Sequence, residues 1–461
     1  MQSDLANPGG PCPGRAPALG IRIRLRTAEG QGRLGAVTVP DFSRYLDIIE
    51  PIDGQGMGLP AAGTRLEFSR GEYARRYARA AALMDEFDIA ALVLAQPSSI
   101  RYFTGLPTWV WVLPPVMPVI AILPRRPDLA TVVDSEVDRG GLEATSWISD
   151  LSLYRLGSDP IDTAVEALAR RGLSGSRLGF ELGPGQRPNL SPDDLQRLMG
   201  GLEGEVVDAS SLLLAVRMLK GPEEVDRLRE ACRISQIGFE AAFESLTVGA
   251  TEVELTRVAA ESMLHAGARP GMEPFMLKFI AGQERFGEHL LLSTDRPISA
   301  GEQVHADGGC AVDGYRCDFM RSAVMGRLSD SAEDSYDLAV AALEAGLASL
   351  RPGKPLANAW AAAANVFSAA GQKGGPTLTW GHGIGLDHWE PPQIAAPGTL
   401  EGGLMARPGM VLCFEPSAGS QTQSSNPVAG VFIVEDQVAV TSEGVEVLTS
   451  ALPRTLFRAG S

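Results

Sequence analysis

Five residues in the second half of this 461-residue chain have the types and spacing that hold divalent cations: Asp307, Asp318, His382, Glu415 and Glu435. Four carboxylates and one imidazole neutralise two such ions and leave a bridging position for water or hydroxide, which is a hydrolytic arrangement. Paired ions lower the pKa of that water and stabilise the oxyanion of a tetrahedral intermediate. Oxygen-rich ligation with a single nitrogen favours Mn2+, Co2+, Fe2+ or Zn2+ in a paired site over a structural zinc built on thiolates. Taken singly, each residue has an ordinary explanation: a solvated turn, a structural histidine in a glycine loop, a glutamate capping a strand. Their joint occurrence is what points to metal.

The elements that must position them are legible nearby. Asp313-Gly314 is the strongest short-range hairpin signal, and the two aspartates lie on the strands it joins. With Asp313 and Gly314 as the turn, Asp307 faces Met320 and Asp318 faces Gly309, so both carboxylates share one face as diagonal neighbours; a one-residue slip would part them. His382 sits in Trp380-Gly381-His382-Gly383-Ile384-Gly385, where small residues let backbone and metal approach closely. Glu415 ends the apolar run 410–414 and precedes Pro416, and Glu435 ends the run 431–434. A carboxylate at the end of a buried strand needs a cation, because an unpaired charge there is costly.

Further upstream, Ser69-Arg-Gly-Glu72 is a capping box that opens an amphipathic helix to about residue 87. Apolar runs at 89–95, 116–123 and 130–133 predict strands, and Ser191-Pro192-Asp193-Asp194 predicts a helix start. This alternation indicates an α/β domain over 66–210. Residues 1–65 are expected to be a partly disordered extension, with recognisable patterning starting near Leu66. From 211 to 461 the predicted order is helix, helix, strands, and then the same again, with helices opening at Gly221-Pro222 and at the capping box Thr251-Glu-Val-Glu254. Asp307 and Asp318 fall in the first half of this coarse duplication, and the other three candidates in the second.

The bulk numbers set limits. A net charge of −16 and a pI near 4.9 argue against nucleic acid and anionic lipid as partners, leaving a small peptide or small molecule as substrate. No run of 18 apolar residues predicts a membrane span, and the N-terminal segment does not read as a secretory signal. Five dispersed cysteines without a CxxC pattern indicate a reducing, cytoplasmic setting. Cys310 and Cys317 face each other in the hairpin register, so a cross-strand disulfide is weighed there against free thiols.

The segment 307–318 with Arg321-Ser322, the stretch 381–392, the run 409–416 and Val434-Glu435-Asp436 together resemble the pita-bread metallopeptidases, the family of aminopeptidase P, prolidase, methionine aminopeptidase and the creatinase-like hydrolases. The stretches 97–105 and 217–224 look like its two-domain creatinase and prolidase branch. The resemblance implies a creatinase-like N-terminal α/β domain followed by a duplicated α+β pita-bread catalytic domain, and a homodimer. It also implies two divalent ions (Mn, Co or Zn) on the five ligands, with Glu415 as general base on the bridging hydroxide and His289 as catalytic partner. A surface histidine is the alternative for His289. The implied activity is cleavage of Xaa-Pro peptide bonds.

Three departures bear on the substrate. Family peptidases usually read His-Glu where this chain has Trp389-Glu390, which replaces an imidazole by an indole that donates a single hydrogen bond. His388 is adjacent, yet in an extended strand it would point to the opposite face unless a bulge intervened. Ile433 stands where an arginine is common, and His305, on the face of Asp307, serves either the metals or packing. These changes keep open a second activity: C–N hydrolysis or lyase chemistry on a small amino-acid-like or quaternary-amine compound, held by Trp389 and by Trp109 and Trp111 in an aromatic cage.

Overall fold

The computed structural model describes residues 26–27, 41–61, 63–107, 117–269, 275–282, 285, 292–371, 379–418 and 432–460. The apolar run at 89–95 forms the strand Ala91–Leu94, with every residue buried, in the middle of a seven-stranded mixed sheet. Its alternating side chains feed two cores: Leu92 and Leu94 pack into the main one, Ala91 and Val93 into a second beneath Pro160–Arg170 and Pro192–Gly200. The helix Arg70–Glu86 starts at Ser69, whose side chain accepts from the Glu72 N–H. No described helix is long and apolar enough to cross a membrane.

The described fold begins earlier than the sequence reading expects. Phe42–Ile49 is a helix capped by Asp41, and it buries Phe42, Tyr45, Leu46 and Ile49 in the main core. Tyr45 stacks on Phe87 at a centroid distance of 4.9 Å. Farther up the chain, Arg26–Thr27 adds an edge strand to the seven-stranded sheet by pairing with Val206–Asp208.

The second half repeats one plan. Helices Pro222–Glu244 and Glu252–His265 precede a four-stranded sheet in the order Phe457–Ala459, Met320–Met325, Gln303–Gly309, Met276–Ala281. Helices Asp330–Ser349 and Ala357–Ala369 precede a five-stranded sheet in the order Glu390–Ala395, Thr379–Gly383, Val411–Phe414, Asp436–Val440, Val445–Val447. The capping box at 251–254 is formed, and at the start of the helix before it the Gly221 N–H donates to Glu224 Oε2 at 2.8 Å.

The hairpin has the register read from its turn. Val312 pairs with Tyr315 and Asp307 with Met320, and both turn residues have positive φ, 47° at Asp313 and 85° at Gly314, as a type I′ turn requires. A side chain at Gly314 would meet Arg101 Nη1 at 2.7 Å, so the turn is wedged against the N-terminal half. Cys310 and Cys317 face each other as expected but are free thiols: the Cys310 Sγ turns to Ser235 Oγ at 3.4 Å and the Ala231 carbonyl at 3.6 Å.

Buried charges lock the halves together. Arg75 bonds Glu224 at 2.6 Å, and Tyr315 donates to the same carboxylate at 2.8 Å. The Arg76 guanidinium lies between the rings of Phe68 and Tyr102, 4.2 and 4.3 Å from their centres.

Candidate metal centre

The hairpin arm and the second sheet meet at Asp318. Its N–H donates to Gln437 Oε1 at 2.9 Å, and the Glu435 N–H donates to the Met320 carbonyl at 3.3 Å. Behind them, Arg321 donates to the Glu435 carbonyl and to Asp436, each at 2.7 Å. Single donor atoms of Asp318, His382, Cys413 and Glu435 lie within 4.8 Å of one another, all buried. His382 and Cys413 are direct cross-strand partners, which explains why the thiol joins the group. With Nδ1 engaged by the Gly383 carbonyl at 2.9 Å, His382 turns Nε2 to Asp318 Oδ2 at 3.6 Å. A histidine whose Nδ1–H is spent on a carbonyl presents Nε2 as a ligand.

Asp307 and Glu415 border this cluster. Glu415 is half-buried, follows Val411–Phe414, and donates its N–H to the Trp380 carbonyl at 3.0 Å. Asp307 lies directly across from Lys278, whose Nζ is 2.7 Å from Asp307 Oδ2. Sequence reasoning missed Lys278; its signal is a lone charge in the apolar strand Met276–Ala281.

Burial and mutual repulsion set the protonation of these carboxyls. Burial, reinforced by Asp318, pushes Asp307 up, with Lys278 opposing. Burial pushes Glu415 up to about 7, His382 and Lys278 opposing while Asp318 and Asp307 add to the rise. Glu435 is pushed well above the carboxylate range by burial, Asp318, Glu415 and Asp307. Asp318 alone is lowered, because His388 and His382 outweigh its burial. Asp318 Oδ1 and Glu435 Oε1 are buried without a hydrogen-bond partner. Orphaned carboxyl oxygens beside an imidazole fit divalent metal, which would satisfy them and hold both groups as carboxylates.

The irregularity on which the orientation of His388 depends is present after His382. His382 faces Gln393 and Gly383 faces Glu390, so the partner strand carries two extra residues and 384–389 is bent and not extended. His388 thereby reaches Asp318 Oδ2 at 2.9 Å. Trp389 is 66% exposed and stacks on His382, ring centres 4.8 Å apart. The bend is anchored by Glu390, which accepts from Arg217, from Lys220 at 3.1 Å and from the Asp387 N–H at 3.0 Å.

His305 shares the face of Asp307 but is occupied elsewhere. Nδ1 meets Ser322 Oγ at 2.9 Å, Nε2 meets the Gln303 amide, and the ring packs on Phe432. Ile433 packs on Met320. His289, Trp109 and Trp111 lie outside the described residues.

A carboxylate and histidine cluster held between two duplicated helix-and-sheet units, behind a mixed α/β N-terminal sheet, defines a pita-bread metallohydrolase. Residues 226–442 match the model of metallopeptidase family M24, and 76–219 match that of the creatinase/prolidase N-terminal domain. A probable dipeptidase PepE of Mycobacterium tuberculosis is 28% identical over 381 residues, covering 80% of this chain and 94% of that protein. The crystal structure of dipeptidase PepE from Mycobacterium ulcerans superposes with a TM-score of 0.69 at 25% identity, over 85% of this chain and 99% of that one. An Xaa-Pro dipeptidase from Bacillus anthracis gives 0.70 at 22% identity, over 84% and 99%. The chain belongs to metallopeptidase family M24, with a creatinase/prolidase-type N-terminal domain, and is a hydrolase of the peptidase class.

Proposed function

We propose that the chain is a two-metal peptidase that cleaves short Xaa-Pro peptides, with Asp307, Asp318, His382, Glu415 and Glu435 as ligands. The observation that carries this is the pair of buried oxygens without partners, Asp318 Oδ1 and Glu435 Oε1, at the meeting point of the two sheets. When bound, the two ions supply a nucleophilic water at neutral pH and charge for the developing oxyanion.

The chain's own residues then have distinct tasks. Glu415, at the edge of the cluster, takes the proton of the attacking water and passes it to the departing proline nitrogen. His388, on the bent segment, donates to substrate once a cation takes over its hold on Asp318, and His289 is assigned the role of catalytic partner. His305 orients Ser322 and the strand behind Asp307. Trp389 offers one indole face to the substrate ring while the other rests on His382. The names of the relatives support a dipeptide-sized substrate. We extend the proposal to a homodimer, from the family resemblance of the motifs, and to the cytoplasm, from the dispersed cysteines, of which the four described are buried free thiols.

Trp389→Ala is expected to raise KM about two- to tenfold, the worth of one aromatic contact. Unfolding free energy should stay within about 0.5 kcal/mol, because the side chain is mostly exposed. Steady-state kinetics alongside denaturant titration separate the two effects.

The exposed indole also favours a second reading, in which it stacks on the cation of a small quaternary amine. One panel decides between them: Xaa-Pro dipeptides, Xaa-Pro-Yaa tripeptides and N-methylated or quaternary amines, each with added Mn2+ or Co2+ and after chelation. Hydrolysis of Xaa-Pro peptides that chelation abolishes and metal restores is the expected result. Turnover of the amines alone overturns the peptidase reading, and activity untouched by chelation overturns the metal.

A further inference from the structure

The two sides of the metal centre differ in one charged group. On the side of Asp318, His382 and Glu435, no lysine or arginine pairs with a ligand carboxylate among the described residues. On the side of Asp307, the Lys278 ammonium lies 2.7 Å from Oδ2, and both side chains are 19% exposed. The contact follows from the fold: Lys278 and Asp307 are direct partners on adjacent antiparallel strands, so their side chains emerge side by side on the same face. The pairing on either side, Phe279 with Ala306 and Leu277 with Gly308, holds the register.

We propose that Lys278 is a tethered cation that makes the two metal positions unequal, so that the first divalent ion fills the Asp318, His382 and Glu435 side and the second must displace Lys278 from Asp307. This rests on the two-metal reading above. The physical basis is competition for one carboxylate. The ammonium already satisfies Asp307 with a charge-assisted hydrogen bond in a partly dry site, and a divalent ion arriving there both breaks that bond and meets the ammonium's repulsion. The second ion therefore binds about 10- to 100-fold more weakly than the first. At low free metal the centre holds one ion, with Asp307 neutralised by Lys278. Only at higher free metal does the second position fill. Lys278 thus couples occupancy of the second position to metal supply.

The test is metal binding itself, by equilibrium dialysis of the full chain against graded free Mn2+, with bound metal read by atomic emission and free Mn2+ by electron paramagnetic resonance. The wild-type chain should load in two steps separated about 10- to 100-fold in concentration. Lys278→Met should tighten the second step by that factor and leave the first within about threefold, while Lys278→Arg, which keeps the charge, should keep the separation. Asp307→Asn should remove the second step alone, which assigns it. A wild-type second step too weak to reach, but recovered in Lys278→Met, supports the proposal equally. Two wild-type ions of equal affinity, or a second step unmoved in Lys278→Met, would overturn it while leaving the two-metal reading standing. Binding of no ion by any variant would sink that reading as well. Should Lys278→Met fail to fold, Lys278→Gln supplies the same comparison.

Discussion

Glu415→Gln should lower kcat about 10^2- to 10^4-fold, the range for removing a positioned general base. The amide keeps the shape of the side chain and one oxygen for a cation, but it cannot accept and release the proton of the attacking water. The local frame should survive, because Glu415 is anchored by its N–H to the Trp380 carbonyl and by the buried strand before it. Circular dichroism and the denaturant midpoint should therefore stay near wild type. Metal content measured on the same sample separates loss of the base from loss of a ligand. A variant with full metal and an unchanged kcat would remove Glu415 from the base role. Without metal the carboxyl is pushed up to about 7, chiefly by burial.

Glu390→Ala should cost about 3–5 kcal/mol of stability, the range for breaking a buried ion pair by removing one partner. Arg217 and Lys220 both bond this carboxylate, and all three side chains are at most 2% exposed. Removing the anion strands the buried Lys220 and leaves the buried Arg217 with only Asp387 and Ser98 as partners among the described residues. The bend that delivers His388 and Trp389 would lose its anchor too, so KM should rise together with the loss of stability. Urea denaturation gives the first effect and steady-state kinetics the second. The wild-type pair also has a pH signature. Burial alone would raise Glu390, but Arg217 and Lys220 outweigh it and hold the carboxyl at about 2, against an ordinary value of 4.5. Its contribution is full above 4.5 and is lost as pH falls from there through about 2. Glu390→Gln should flatten that part of the acid limb; an acid limb identical to wild type would show that the pair does not carry it.

Local signals were reliable where a few adjacent residues decide the geometry. Asp313-Gly314 alone dictated the pairing of Asp307 with Met320, and three capping motifs placed helix starts to the residue. The helix Phe42–Ile49 was equally legible, since Phe42, Tyr45, Leu46 and Ile49 recur at helical spacing behind a capping aspartate, but a glycine- and proline-rich approach masked it. Lys278 could have been suspected as a charge in an apolar strand, though its partner depends on a strand pairing that no local motif announces. The orientation of His388 was not legible. It hung on whether a bulge or bend interrupts the strand, and the bend at 384–389 is held through Glu390 by Arg217 and Lys220, about 170 residues away. Cys413 escaped notice for a similar reason: it joins the ligand group only through its register with His382.

The parallel pairing of Phe457–Ala459 with Ala323, Val324 and Met325 has a consequence for timing during synthesis. More than a hundred residues separate the partners, so at a ribosomal rate of about 5–20 residues per second the strand that carries Met320 waits on the order of ten seconds for its neighbour. Glu435 emerges only shortly before that neighbour does. His382 and Glu415 emerge in the interval, so the nascent hairpin holds Asp307 and Asp318 alone only at first, and the proposed ligand set is complete only once Glu435 has been made. On the two-metal reading, discrimination among metals therefore comes late in synthesis, once the second sheet can join the hairpin arm.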